Sequence, residues 1–330
     1  MSNRVTIKSI ARDLGISHMT VSRALSNHPN VQKETRETIV NRAHELGYVK
    51  SAAATAMRGG GTRIVGLLLP NIVNEFYARS ANTMAVACEE QSYQLIVHLT
   101  NDRIELENKS LERLREIQAR AVVMVPAPLG DEGPGLQQSD MKIIQLIRQR
   151  ELPAGGEAIL VDDRQAIRDA VVHLAGLGHT SIAYIGADAA LSSGRDRLAA
   201  YRQGLVDTGQ ECDDELVRVS SPSFEMGRQS ANEILDQGIA SAIICGGFEI
   251  SNGALSALMA HGLQPSGDFA FIGYGDPTFY SWIDGGISTI CVPVEGLAFR
   301  AAELIENSPT GRADDPVGAT KFAAELKIRV

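Results

Sequence analysis

The segment Thr6-Ile7-Lys8-Ser9-Ile10-Ala11-Arg12-Asp13-Leu14-Gly15-Ile16-Ser17-His18-Met19-Thr20-Val21-Ser22-Arg23-Ala24-Leu25-Ser26 decides how the rest of the chain is read. Ile7, Ile10, Ala11 and Leu14 recur at the spacing of one helical face. Gly15 stands where a helix ends in a left-handed residue that needs no Cβ. Ser17 stands where a side-chain oxygen caps the next helix. That second helix runs from about His18 to Leu25, with Val21, Ala24 and Leu25 inward and His18, Met19, Ser22 and Arg23 opposite. Two helices joined by a short turn, the second polar and arginine-bearing on its outside, form the arrangement that places side chains in a DNA major groove. Arg23 has the fork that reads a guanine edge. The hydroxyls of Thr6, Ser17 and Thr20 suit phosphate oxygens. A third helix over Lys33–Leu46, with Ile39, Val40, Ala43 and Leu46 inward, ends at Gly47. Turn glycine, capping serine, polar outer face and charge together separate this unit from an ordinary three-helix bundle.

The charge is unevenly placed. The net −9 hides a head, residues 1–63, with ten Lys and Arg against four Asp and Glu; the head is +6 and the remainder −15. A basic head on an acidic body predicts a polyanionic partner for the head alone, because the body repels phosphates. At 330 residues, with 44% hydrophobic and 22% charged residues, the chain is long and apolar enough for two or three packed domains, which excludes disordered and fibrous classes. No apolar run approaches the roughly 18 residues of a membrane span, and residues 1–8 lack a signal-peptide core, so a cytoplasmic protein is expected.

Nothing in the sequence suggests catalysis. Cys88, Cys212, Cys245 and Cys291 have neither metal-finger nor redox spacing, and Cys88 and Cys245 read as small core residues. His98, His173, His179 and His261 are scattered, and His179 sits at a turn where it caps carbonyls. Gly59-Gly60-Gly61 lacks the Lys-Ser/Thr that a phosphate loop requires, and there is no nucleophile elbow. No enzyme, cofactor or metal is expected.

After residue 62 apolar runs of strand length alternate with helical patterns. The runs are Arg63–Leu69, Gln94–Leu99, Ala121–Val125, Ser181–Ile185, Leu216–Val219, Ala242–Cys245, Phe269–Gly273 and a final Ala323–Val330. Helices are expected with Ala78, Ala81, Ala85 and Cys88 on one face, with Leu111, Leu114 and Ile117 on another, and over Gly194–Thr208 and Ile250–His261. This alternation predicts two doubly wound, parallel α/β lobes, with ligands bound outside the carboxyl ends of strands.

The opening segment, continued by Glu34-Thr35-Arg36 and Ala43-His44-Glu45-Leu46-Gly47-Tyr48, resembles the headpiece of the lac/galactose repressor (LacI/GalR) family. The body resembles it too, through Leu67-Leu68-Leu69-Pro70-Asn71, Val161-Asp162-Asp163, Leu177-Gly178-His179, Gly194-Arg195-Asp196-Arg197 and Ile272-Gly273-Tyr274-Gly275-Asp276. The resemblance implies a helix-turn-helix headpiece over 1–49, a hinge helix and linker over 50–61, and a periplasmic-binding-protein-like body over 62–330. It implies one lobe from about 62–160 with 293–322, and a second from about 161–292 with 323–330. It gives His18, Met19 and Arg23 base-reading positions, and Thr6, Ser17, Thr20, Ser22 and Asn30 mostly phosphate contacts. Ala54 and Met57 fall in the hinge, where Met57 takes the place of a leucine that wedges the minor groove. Lys50, Ser51 and Thr55 depart from the family's hinge pattern.

In the body the resemblance implies effector contacts at Phe76, Tyr77, Ser193, Arg197, Phe248 and Asp276. The pocket also departs from the family: its Asn-Asp is here Gly247-Phe248, its aromatic platform Pro222, and the first Asp of Gly-aromatic-Asp-Asp is Gly275. Two sugar-gripping carboxylates are therefore missing beside a retained arginine. An anionic effector such as a sugar acid would complete the site, unless Asp162, Asp163 or Glu249 takes Arg197. Phe279, Tyr280 and Trp282 either stack on a ligand or pack a lobe. The expected protein is a homodimeric regulator, a repressor, on double-stranded operator DNA, gated by a sugar or else by a sugar acid or other anionic metabolite, with no coiled-coil tail after Arg329-Val330. Two rivals remain: a DNA-binding dimer with an effector-free body, and a solute-binding protein with no DNA role.

Overall fold

The computed structural model describes residues 5–48, 62–129, 141–153, 155–265, 267, 269–283, 285–306 and 317–329. The chain divides into two compact units, Met1–Thr62 and Arg63–Val330.

The first unit holds helices α1 (Ile7–Leu14), α2 (His18–Leu25) and α3 (Lys33–Glu45). Thr6 opens α1 with a reciprocal capping box to Ser9, satisfying backbone donors that the first turn leaves free. Gly15 closes it at φ 65°, and Ser17 Oγ then accepts from the Thr20 amide at 3.0 Å to start α2. Ile10, Ala11, Val21, Ala24, Val31, Ile39 and Ala43 are the shared core. Val40, expected inward, is 44% exposed. It lies about 100° around the helix from Ile39, off the Ile39–Ala43 stripe.

The second unit carries two six-stranded sheets. The first contains β1 (Ile64–Leu69), β2 (Gln94–Leu99), β3 (Ala121–Met124), β4 (Lys142–Leu146), β5 (Glu157–Asp162) and β11 (Gly318–Ala323), in the order β11-β5-β4-β3-β1-β2 and parallel throughout. The second contains β6 (Ile182–Ala187), β7 (Val217–Ser220), β8 (Ala242–Cys245), β9 (Ala270–Tyr274), β10 (Ser288–Cys291) and β12 (Glu325–Lys327), in the order β12-β10-β9-β8-β6-β7, with only β12 antiparallel. Register places Leu67 beside Val97 and Val123, and Ile244 beside Tyr184 and Ile272. Helices α4 (Glu75–Glu90), α5 (Ile104–Glu116) and α10 (Val294–Glu306) serve the first sheet. Helices α6 (Arg164–Gly176), α7 (Ser192–Asp207), α8 (Phe224–Gln237) and α9 (Phe248–Ala260) serve the second. The chain changes lobe after Asp162, between Cys291 and Val294, and between Ala323 and Glu325.

Two helix faces differ from expectation. On α4 the buried face is Phe76, Tyr77, Ser80, Thr83, Met84, Ala87 and Cys88, while Ala78 and Ala85 are exposed. Burying two aromatics and a methionine removes far more apolar area from water than burying alanines, so the helix turns that way. At the end of α5, Leu111 and Leu114 are buried and Ile117 is largely exposed. All four cysteines are free, and Cys88 and Cys245 are buried. Burial pushes the Cys88 thiol up to about 11. Among the described residues no helix is long and apolar enough to cross a membrane, and no group of three His, Cys, Asp or Glu side chains is placed to hold a metal ion.

Candidate functional site

In the first unit the outer face of α2 is presented to solvent by the packing of its inner face. His18 and Arg23 are exposed, and Met19 is 52% exposed. The Arg23 guanidinium has no protein partner among the described residues, whereas Arg42 is held by Asp13 and Glu45, and Arg36 donates to the His28 and Val31 carbonyls. Two hydroxyls expected at phosphates already have local work. Thr6 caps α1, and Ser17 caps α2 while its Oγ lies 2.9 Å from Thr20 Oγ1. A capping hydroxyl keeps lone pairs and a proton for a further contact, so each is fixed in place at the start of its helix. Asn30 is exposed, and its amide N–H donates to His28 Nδ1 at 3.3 Å. Ala54 and Met57, with Lys50, Ser51 and Thr55, lie outside the described residues.

In the second unit a cleft opens between the two sheets, with an empty volume of about 680 Å³ counted to its open mouth. Its walls come from strand carboxyl ends: Asn71 after β1, Asp102 after β2, Arg148 after β4, Ala187 at the end of β6, Gly246 after β8 and Tyr274 at the end of β9. Phe76, Tyr77, Ser193, Arg197 and Phe248 line it as expected of their positions. Asp276 does not. Its carboxylate is held by Arg329 at 2.6 Å and Lys327 at 3.3 Å, which pins the C-terminal segment to the second lobe. Phe279, Tyr280 and Trp282 also lie outside the cleft walls. Tyr280 is buried against Ser251, and Trp282 is 75% exposed. His179 caps no carbonyl with its ring; Nδ1 lies 2.9 Å from Ser241 Oγ.

Arg197 is paired through two of its three guanidinium nitrogens. Its Nε donates to Asp163 Oδ2 at 2.6 Å and its Nη1 to the Gly246 carbonyl at 2.9 Å. Its guanidinium carbon stands 4.4 Å from the centre of the Tyr274 ring, and the Tyr274 hydroxyl donates to the same Asp163 oxygen at 2.5 Å. Burial pushes the Tyr274 hydroxyl well above its usual range. An anionic effector is expected only while Arg197 lacks a counter-ion. Asp163 supplies one, the partner that the alternative reading of the sequence allows.

Sequence reading missed Arg148 and Asp102, and offered Glu249 only as a partner for Arg197. Arg148 donates to Asp102 through Nη1 at 2.5 Å and Nη2 at 3.3 Å, a second neutralised pair in the wall. Glu249, in the first turn of α9, has no hydrogen bond or ion pair among the described residues, and burial pushes its carboxyl up. The signal that finds all three is position: each follows a strand's carboxyl end.

Phe248 and Gly275 fit each other. Gly275 has φ 106°, and a Cβ there would collide with the Phe248 ring. The ring packs edge-on to Phe76 at 5.5 Å and to Tyr274 at 5.9 Å, so an aromatic row joins the first lobe to the second.

Residues 6–51 match the family model described as bacterial regulatory proteins, lacI family. Residues 62–274 match that of periplasmic binding proteins and the sugar-binding domain of the LacI family. The chain belongs to the LacI family. It is a helix-turn-helix transcriptional regulator with an effector-binding type of body. Relatives include the transcriptional regulator GalR of Escherichia coli, 28% identical over 91% of this chain and 88% of its own. DegA of Bacillus subtilis is 25% identical over 94% and 93%. The lac repressor dimer bound to operator and the anti-inducer ONPF shares the fold at TM-score 0.82 and 20% identity, covering 99% and 98%. So does the CelR–cellobiose complex, at 0.71 and 24%, covering 99% of each chain. Within this LacI-family body, the Phe248 ring fills the space beside Gly275.

Proposed function

We propose that this regulator is a repressor that binds a near-palindromic operator as a homodimer and is released or recruited by a small molecule in the cleft. The observation that carries the DNA half is the outward face of α2, where Arg23 is unpaired and His18 and Met19 stand exposed beside it. In this reading His18, Met19 and Arg23 meet base edges. Thr6, Ser17, Thr20, Ser22 and Asn30 fix register on phosphates, and Ala54 and Met57 act at the central minor groove. A regulator of bacterial DNA works in the cytoplasm and needs no catalytic step.

Dimer formation is supported by the edge of the first sheet. Strand β2 is unpaired on one side and exposes Val97 and Leu99, and the adjacent α4 exposes Val86. An apolar sheet edge left bare invites aggregation, and a second copy covers it. A ligand that binds the two lobes unequally in open and closed forms changes DNA affinity, and by linkage DNA changes ligand affinity by the same factor.

The deciding experiment is a fluorescence-anisotropy titration of an operator recovered by in vitro selection, repeated across salt and with a metabolite panel. Salt-dependent binding that one metabolite shifts establishes the gated repressor. The aromatic row across the cleft favours a second reading, an effector-free body held shut by Phe76 and Phe248. Tight operator binding that no metabolite shifts selects it. Recovery of no operator would sink both.

A further inference from the structure

We infer that the cleft selects a cationic, amine-bearing small molecule whose ammonium group pairs with Glu249. This rests on the reading of the cleft as the effector site and names the chemistry that the site takes.

The charges in and just behind the cleft wall do not cancel. Arg148 is paired with Asp102 and Arg197 with Asp163, so two cations meet two anions. Glu249 is left over as a carboxylate without a cation. The N-terminus of α9 favours its charge but supplies only part of one. Half-burial raises the cost of that charge, which is why the carboxyl is pushed up. A ligand cation removes that cost, and a ligand anion adds a second unpaired negative charge. Anions are therefore rejected here, the reverse of what a free arginine would give.

A second group points to the same place. Tyr77 is 7% exposed, lines the cleft and has no hydrogen-bond partner for its hydroxyl among the described residues. It lines the same cleft as Glu249. An ammonium carries three donors. It pairs with the Glu249 carboxylate, and the Tyr77 hydroxyl is a second polar group in the same cleft that has no partner among the described residues. Phe76 and Phe248 beside it supply aromatic rings, to which a desolvated cation is also drawn. The remainder of the ligand meets the free amide nitrogens of Asn71 and Asn74, whose carboxamide oxygens are already bonded to backbone N–H groups.

The test is calorimetric titration of the full chain with glucosamine, glucose and glucuronate, which offer a similar ring with an ammonium group, no charge and a carboxylate. Glucosamine is expected to bind about tenfold tighter than glucose, with glucuronate weakest. Glu249→Gln keeps the shape and removes the charge, and brings glucosamine level with glucose. Glu249→Asp keeps the charge and retains the preference. Circular dichroism confirms that each variant is folded. Glucuronate binding best overturns the inference, as does a preference that survives Glu249→Gln. Failure of all three sugars to bind overturns it as well. If a different metabolite then shifts operator binding, effector gating stands without this inference; if none does, gating falls too.

Discussion

Arg197 shows how a residue can be placed from sequence while its partner cannot. Its position on α7 puts it in the cleft wall, and that much follows from sequence. Its partner does not, because Asp163 lies 34 residues away and meets it only once α7 folds back on the lobe crossover. The buried pair fastens the crossover to the end of β8 through Gly246. Arg197→Ala strands a buried carboxylate, and we expect a loss of about 3–5 kcal/mol, read as the shift of a urea unfolding midpoint at unchanged slope. A residue serving the ligand alone would leave that midpoint in place. Phe248 and Gly275 carry a related lesson. Each departure from family pattern is visible in sequence, but only the packing shows that the ring occupies the space a side chain at 275 would need. Gly275→Asp alone should destabilise the body by more than Gly275→Asp with Phe248→Asn, and thermal melts of both measure the relief. Glu249 gives a pH prediction. Burial raises its folded pKa above the ordinary value of 4.5, so the folded state holds the proton more tightly than the unfolded chain. Stability therefore falls as pH rises from about 4.5 through the raised value. Buried Glu107, also pushed up by burial, contributes a slope of the same sign. The difference between the native chain and Glu249→Gln isolates Glu249, and melts from pH 4 to 8 should show a shallower fall in the variant.

At the scale of elements, the helices and strands that sequence reading finds are those whose burial obeys a simple period. Strand β1 is an uninterrupted apolar run, and α1 and α2 end and begin on glycine and serine with the expected geometry. Strand β4 escapes because it is wholly buried yet reads Lys-Ile-Ile-Gln-Leu. Lys142 donates to the Leu304 carbonyl near the end of α10, and Gln145 accepts from the Arg150 amide through Oε1, so tertiary partners engage polar side chains that the local pattern would place outside. The same logic hides Glu107. It sits fully buried on α5, bonds Arg150, and accepts from the Ala127 amide at 2.7 Å. It thus ties the loop after β3 to the loop after β4 that carries Arg148 into the cleft. Glu107→Ala leaves Arg150 without its counter-ion, and we expect a loss of about 3–5 kcal/mol in chemical unfolding. Ser17→Ala is a gentler test in the first unit. Loss of the α2 cap should cost about 1 kcal/mol, and because the cap also sets where α2 starts, operator affinity should fall with it in anisotropy titrations.

Across the whole chain the dominant feature is the sign change of charge between its parts. The +6 of residues 1–63 against −15 beyond is legible from sequence alone. What the structure adds is which of those cations are free. The side chains of Lys8, Arg12, Arg23 and Lys33 make no hydrogen bond or ion pair among the described residues, whereas Arg36 and Arg42 are committed to the fold. Only uncommitted cations can replace counterions on DNA. Each phosphate neutralised contributes a slope of about −0.9 to log affinity against log salt, and in a dimer each contact counts twice. Arg23→Ala, if Arg23 meets a base edge, should cost about 1–3 kcal/mol on the selected operator, blunt discrimination at one base pair in each half-site, and leave the salt slope nearly unchanged. A cation that meets only phosphate should do the opposite when removed, lowering affinity evenly across sequences and flattening the slope by about one per subunit. Lys8→Ala and Lys33→Ala test that alternative in the same titration. Should Arg23→Ala flatten the slope and spare discrimination, base reading would have to move to His18 and Met19, and Arg23 would join the phosphate contacts.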